Sequence, residues 1–242
     1  MAGETFRFRK FQVKHNSSSM RVGTDAVLLG AWAGDGAENV HLYRSVLDIG
    51  CGCGVIALIA AQRFPNAKVH GIDIDAPSIM EATENAHQSI FSDRVEFINV
   101  DVRKLAIETP HERYDLILCN PPYYTEDTLP PDKRRSMARN TLHLSFEDLI
   151  KSVCHLLSEE GVFALIIPMQ VRDFFVSEAL MNGLHVRREC RVKTVSRKTP
   201  KRVLLEFGFQ NYGHVVYTDL ILQDANGERS ADYSLLCKDF YL

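Results

Sequence analysis

Asn120-Pro121-Pro122-Tyr123 is the stretch whose residue types most directly suggest chemistry. It closes the run Tyr114-Asp115-Leu116-Ile117-Leu118-Cys119, a mostly apolar segment of strand length stopped by prolines that cannot continue a ladder. A polar amide is thereby placed at the carboxyl end of a strand and stiffened by two fixed φ angles. In an open α/β sheet that end is where ligands bind. Asn120 offers a side-chain carbonyl and Pro121 a main-chain carbonyl, so together they can accept two hydrogen bonds from a planar –NH2 group. Tyr123 can stack on the ring that carries it. Such a site holds an exocyclic amine like that of adenine. The plain alternative is a Pro-Pro turn after an Asn.

A second element supplies a place for a cofactor. Val46-Leu47-Asp48-Ile49-Gly50 reads as another buried strand, and Gly50-Cys51-Gly52-Cys53-Gly54 leads from it into an apolar helical pattern over 55–64. Glycines at every second position let the backbone turn tightly and approach a ligand closely. The spacing is GxGxG after Asp48 rather than the GxGxxG of dinucleotide binders. A dinucleotide puts a pyrophosphate on the helix N-terminus, whereas S-adenosylmethionine has no phosphate and carries an amino group and a sulfonium. An acid at Asp48 suits that cation.

Two further acids follow at matching places. Residues 68–73 form a strand ending in Asp73, about twenty residues past the loop, where a ribose-binding acid is expected. Residues 95–101 read as a third strand ending in Asp101, placed to accept from the adenine amine of the cofactor. Each Asp alone would read as a helix N-cap. Asp48, Asp73 and Asp101 at three successive strand positions favour a ligand. Asp75 fits better as a cap ahead of Ala76-Pro77.

Asp48 to Gly54, Asp73, Asp101 and Asn120 to Tyr123 together resemble a class I S-adenosylmethionine-dependent methyltransferase of the amine-methylating kind. The chain start narrows this. Phe11-Gln12-Val13-Lys14-His15, followed by Met20-Arg21-Val22-Gly23-Thr24-Asp25-Ala26-Val27-Leu28-Leu29-Gly30-Ala31-Trp32, is similar to the opening of the bacterial tRNA(Val) adenine-37 N6-methyltransferases. So is the ending, Asp232-Tyr233-Ser234 through Lys238-Asp239-Phe240-Tyr241-Leu242. The resemblance covers essentially the whole chain. It implies methyl transfer from S-adenosylmethionine to N6 of an adenine in tRNA. It also implies a cofactor set of Asp48, Gly50, Gly52, Gly54, Asp73, Asp101 and Asn120, with Thr24 and Asp25 at the methionine end. Asn120, Pro121 and Tyr123 are the expected catalytic residues. The run Ser17 to Ser19 departs from the family pattern, and Cys53 stands where many relatives have Thr or Ser.

Composition limits the alternatives. At 242 residues, with 45% hydrophobic content, the chain can fill one large core. No window approaches the roughly twenty apolar residues of a membrane span, and Met1 to Thr5 lack a secretory h-region. Six scattered cysteines make no CxxC pair, and Cys51 with Cys53 lacks the further ligands a structural zinc needs. A cytoplasmic, metal-free protein, monomeric or weakly dimeric, is expected.

The formal charge is −3, so nucleic-acid contact must come from local clusters. Lys133, Arg134, Arg135 and Arg139 follow the Asn-Pro-Pro-Tyr motif. Arg187, Arg188, Arg191, Lys193, Arg197, Lys198, Lys201 and Arg202 form a second block, interrupted by Glu189. Alternation over 189–195 and the apolar run 203–209 predict two antiparallel strands joined by 196–202. The plain alternative is a solvated basic hairpin. Beside an amine site, Lys133, Arg134, Arg135, Arg139, Arg197, Lys198, Lys201 and Arg202 are expected phosphate contacts. Residues 125–137, with Pro130-Pro131-Asp132, read as a loop able to order over substrate.

The expected architecture is α/β: a Rossmann-like, mostly parallel seven-stranded sheet with a terminal antiparallel strand pair and helices on both faces. One domain, 1–242, is divided into an N-terminal segment (1–44), a cofactor-binding core (45–183) and a C-terminal unit (184–242). Helices are expected at 77–90, 146–157 and 171–181, and a central strand at 161–167. Residues 215–223 alternate weakly, and 231–239 have a helical pattern. Three other enzyme readings share some of these features. A release-factor glutamine N5-methyltransferase would use the same amine chemistry, but the residues before Val46 leave little room for its helical recognition domain. A DNA adenine methyltransferase would bring a target-recognition domain. A nicotinamide-dependent enzyme would have GxGxxG spacing. A binding module that has lost activity would show a broken acid or amine motif.

Overall fold

A computed structural model describes residues 5–16, 22–34, 43–109, 113–121, 144–211 and 213–242. Its centre is an eight-stranded sheet of β3 (Ser45–Ile49), β4 (Lys68–Asp73), β5 (Val95–Asn99), β6 (Tyr114–Cys119), β7 (Leu157–Pro168), β8 (His185–Lys193), β9 (Arg202–Gly208) and β10 (Val216–Ile221). The order across it is β10-β8-β9-β7-β6-β3-β4-β5. β9 runs antiparallel to both neighbours, and every other pairing is parallel.

The central strands are apolar at nearly every position because both faces are covered. Val46, Leu116, Leu118, Ala164, Ile166 and Leu204 point into one core cluster. The alternate residues Leu47, Ile49, Ile117, Phe163, Leu165 and Leu205 point into the other. The first face is covered by α1 (Thr24–Trp32), α2 (Val55–Arg63), α3 (Ala76–His87) and α7 (Ala231–Leu236), the second by α4 (Val102–Glu108), α5 (Phe146–Leu156) and α6 (Arg172–Met181).

The expected antiparallel pair is present as β8 and β9, and β3 to β9 make the expected seven-stranded sheet. The eighth is a correction. β10 adds to β8 in parallel at the sheet edge, with Val216 to Asp219 exposed and only Leu220 buried. An edge strand with so little covered surface needs no apolar alternation, which is why its pattern is weak. A small hairpin also goes beyond the expectation: β1 (Thr5–Arg7) pairs with β2 (Gln12–Lys14). Phe8 and Phe11 stack beneath it at 4.6 Å, and the chain end closes on it, Arg9 N donating to Phe240 O at 2.9 Å.

Two helix starts and one strand end sharpen the picture. Asp75 caps α3, accepting from Ser78 N at 3.0 Å with proline in the first turn, as its position predicts. The strand expected to run to Asp101 stops at Asn99, and Asp101 is the N-cap of α4.

Glycines at the sheet's active edge are there for space. A Cβ on Gly71 of β4 would lie 2.3 Å from the Phe97 ring, and one on Gly54 would lie 2.6 Å from the same ring. Phe97 is thus wedged between strand and loop. Gly71→Ala is expected to lower stability by about 1–3 kcal/mol, because the new methyl group would overlap the Phe97 ring and also crowd the Cys51 side chain at 3.1 Å. Chemical denaturation would measure the loss, and pairing it with Phe97→Leu should recover most of it.

Candidate active site

The chain enters the sheet at β3, builds outward through β4 and β5, then returns to the other side of β3 as β6. That reversal puts a topological switch point between β3 and β6, where open α/β sheets bind ligands. The glycine loop leaves β3 at this point and Asn120-Pro121 leaves β6. Ile49 is in register with Cys119 on one side and with Ile72 on the other, so Gly50, Asn120 and Asp73 emerge side by side. At strand spacing, the ends of β6, β3, β4 and β5 span about 14 Å.

The loop is a glycine construction in the strict sense. Gly50, Gly52 and Gly54 have φ of 70°, 52° and 83°, conformations that side chains strongly disfavour. Gly50 N and Cys51 N both donate to Ile72 O, at 2.8 and 3.0 Å, and Gly54 N donates to Cys51 O at 2.8 Å. A Cβ on Gly50 would meet nothing within 4 Å, so the loop faces open space there.

The three acids differ in what they do. Asp73 organises the loop: one oxygen accepts from Gly52 N at 3.0 Å and the other from Asp75 N at 2.9 Å. Asp101 caps α4 through Arg103 N at 2.9 Å and is forked by the Arg103 guanidinium, which holds its carboxyl below the usual range. Asp48 is fully buried; Oδ2 accepts from Ala57 N at 3.1 Å, while Oδ1 has no partner among the described residues. Burial pushes its carboxyl up to about 8, with the Ala57 N–H opposing and Asp73 adding to the rise.

That shift has a testable sign. Asp48 has a folded value of about 8 against an ordinary 3.8, so the folded chain binds the extra proton in between. Stability is therefore expected to fall as pH rises from about 4 to about 8 and to level off above that. Asp48→Asn should flatten the slope, as read from urea midpoints across the range.

Asn120 and Pro121 are buried at the end of β6. Thr24 and Asp25 form the first turn of α1. Asp25 is not open to solvent on all sides: Arg202 Nε lies 2.8 Å from its Oδ2. Arg202, expected from the sequence to contact phosphate, is thus paired with Asp25 in this structure. The same holds for much of the basic strand. Arg188 forks the fully buried Glu206 at 2.6 and 2.8 Å and lies over the Trp32 ring, Arg191 pairs with buried Glu189 at 2.8 Å, and Lys193 pairs with Asp219 at 2.5 Å. Arg188 and Arg191 neutralise carboxylates buried on β9 and β8, a role invisible in a count of charges. Arg197, Lys198 and Lys201 are exposed in the turn between β8 and β9, with no ion pair among the described residues. Tyr123, Lys133, Arg134, Arg135 and Arg139, the loop 125–137 and Ser17 to Ser19 lie outside the described residues.

Some site features carried no sequence signal. Ile74, directly after Asp73, is a half-exposed apolar side chain at the same strand edge. Asn85 and Glu81 on α3 are buried polar groups tied to the N-terminal segment. An i, i+4 pair of polar residues in a helix ordinarily reads as a solvated face. All six cysteines are free thiols, and burial pushes Cys53 up to about 12. Among the described residues no group of three His, Cys, Asp or Glu is placed to hold a metal, and no helix is long and apolar enough to cross a membrane.

A switch-point glycine loop with acids at or just beyond successive strand ends, on a sheet closed by one antiparallel strand, defines a class I methyltransferase. The family profile described as a methyltransferase domain matches residues 43–208. A predicted O-methyltransferase from Agrobacterium tumefaciens shares the fold, with a TM-score of 0.64 over 89% of this chain and 96% of that one, at 21% identity. Among curated relatives, a protein of Bacteroides thetaiotaomicron is 38% identical over 100% of this chain and 99% of its own. One of Porphyromonas gingivalis is 39% identical, over 100% and 96%. Both are named tRNA1(Val) (adenine(37)-N6)-methyltransferase, and the chain belongs to that family.

Proposed function

We propose that the protein transfers a methyl group from S-adenosylmethionine to the exocyclic N6 amine of an adenine in tRNA, the target being adenine 37 of tRNA(Val). The observation that carries this is the adjacency of Asn120-Pro121 to the glycine loop across the switch point. The curated relatives, named for that reaction over their full length, supply the target. The reading also places the protein in the cytoplasm, with its RNA substrate.

The residues fit the cofactor on two observations. Asp48 keeps a buried oxygen with no partner among the described residues, beside a loop with open space over Gly50, an arrangement that suits a cationic ligand. Asp73, already facing the loop, is placed to accept from ribose hydroxyls, and Ile74 offers an apolar surface next to it. When bound, S-adenosylmethionine supplies an electrophilic methyl group on its sulfonium. Thr24 and Asp25 line its methionine end, and Asp101 accepts from its adenine amine. A cation near Asp48 favours the ionised carboxylate, so cofactor affinity is expected to rise as pH approaches about 8, the value set by burial. Asp48→Asn should lose that dependence.

On the substrate side Asn120 and the Pro121 carbonyl accept from the target amine, and Tyr123 supplies a stacking face worth about 1–3 kcal/mol. The two acceptors hold the nitrogen with its lone pair toward the methyl group. Each bond contributes only about 0.5–1.5 kcal/mol net, but alignment can supply about 7–11 kcal/mol at best. No strong base is needed, since the amine sheds its proton readily once methylated, and neutral Asn120 is not one. Arg197, Lys198 and Lys201, with Lys133, Arg134, Arg135 and Arg139, contact phosphates of the anticodon arm.

The test offers labelled cofactor to unmodified total tRNA and, separately, to a release factor. Label in tRNA is the expected result. Label in the release factor alone would move the same amine site to glutamine chemistry and overturn the RNA assignment.

A further inference from the structure

We propose that Asn85, which lies outside the proposed ligand contacts, is a positioning residue that sets the cofactor loop and the N-terminal segment against each other. The inference rests on the cofactor reading above.

Asn85 sits in α3 with 1% of its surface exposed. Its Oδ1 accepts from Lys14 N and its Nδ2 donates to Lys14 O, both at 2.9 Å, so the amide pairs with β2 as an added ladder step would. The remaining N–H donates to Cys53 O, again at 2.9 Å, in the middle of the glycine loop. One buried side chain therefore joins two segments that are far apart in sequence. One helical turn earlier Glu81 Oε1 accepts from Asn16 N at 2.7 Å, extending the contact along the same face.

The connection continues to the other side of the site. His15 Nδ1 accepts from Val22 N at 3.0 Å, and Gly23 is the N-cap of α1, whose first turn holds Thr24 and Asp25. Hydrogen bonds, joined by short stretches of main chain at Lys14-His15 and Val22-Gly23, thus link the loop carbonyl of Cys53 through Asn85 to β2 and on to the start of α1. Three of the glycine loop's five residues are glycines in the left-handed region, so only Cys51 and Cys53 anchor it through side chains of its own. Its shape depends on outside anchors. Ile72 and Asp73 hold the strand side, and Asn85 holds the helix side.

The experiment measures cofactor affinity by calorimetry, and steady-state constants with tRNA, for wild type, Asn85→Leu and Asn85→Asp. Leucine keeps the branching and the number of heavy atoms and removes all three bonds. Aspartate keeps the acceptor but turns a carboxylate toward two carbonyls. The cofactor Kd and KM are expected to rise about tenfold or more, the size of effect that two or more lost hydrogen bonds give. Both kcat at saturation and KM for tRNA should stay within about threefold. Lower thermal stability with cofactor Kd unchanged would show a merely structural role and overturn the proposal. If Asn85→Leu fails to fold, Asn85→Ser, which retains one hydroxyl donor, is read by the same criterion. Wild type that binds no S-adenosylmethionine would overturn the cofactor reading itself. Wild type that binds and transfers, with variants that bind equally well, would overturn only the role of Asn85.

Discussion

Asn120→Ala is expected to lose about 10³-fold in methyl transfer while the cofactor still binds within about threefold of wild type, the pattern of a group acting on the reacting centre rather than on binding. Asn120 is 7% exposed and fixed at the end of β6, directly before a buried proline, so its carbonyl is preorganised. Alanine removes one of the two acceptors that orient the amine. Little about the glycine loop should change, because its anchors are Ile72, Asp73, Cys51 and Asn85 rather than Asn120. Asn120→Asp keeps an acceptor and should retain more activity than alanine. Single-turnover transfer alongside calorimetry distinguishes the effects. Loss of cofactor affinity equal to the loss of rate would contradict this division of labour.

Asp73→Ala should fail at the earlier step. Its two oxygens order Gly52 and Asp75 through main-chain bonds of 3.0 and 2.9 Å, and the same carboxylate is the proposed ribose acceptor. Hydrogen bonds to a charged group are worth about 1.5–3 kcal/mol each, so losing those to the ribose weakens cofactor binding about 10²-fold. Asp101→Ala should cost less, since part of that carboxylate's capacity is already taken by Arg103. Comparable losses in the two variants, measured by calorimetry, would contradict that ranking.

The difference between those acids is one the sequence did not carry. Asp48, Asp73 and Asp101 look equivalent as strand-end carboxylates. Their burial and partners are tertiary, so one is a buried half-satisfied acid, one a loop anchor and one a forked helix cap. What was legible lay in strong local patterns: continuous apolar strands, the positive-φ glycines, the Asp75 cap and the Pro-terminated end of β6. The β8–β9 pair was legible from alternation, but the job of its arginines was not. Glu189 and Glu206 are spaced along the chain as surface charges would be, and only pairing across the sheet shows them fully buried. β10 escaped because an edge strand is under little compositional constraint. Asn85 escaped because its partners lie 71 and 32 residues away.

The most direct test of the central claim uses a tRNA(Val) transcript with adenine at position 37 and a second transcript with guanine there. Each is incubated with protein and S-adenosylmethionine, then digested to nucleosides for mass spectrometry. The account predicts N6-methyladenosine from the first transcript and none from the second. Equal methylation of both, or a methyl group on any atom other than N6, would contradict it.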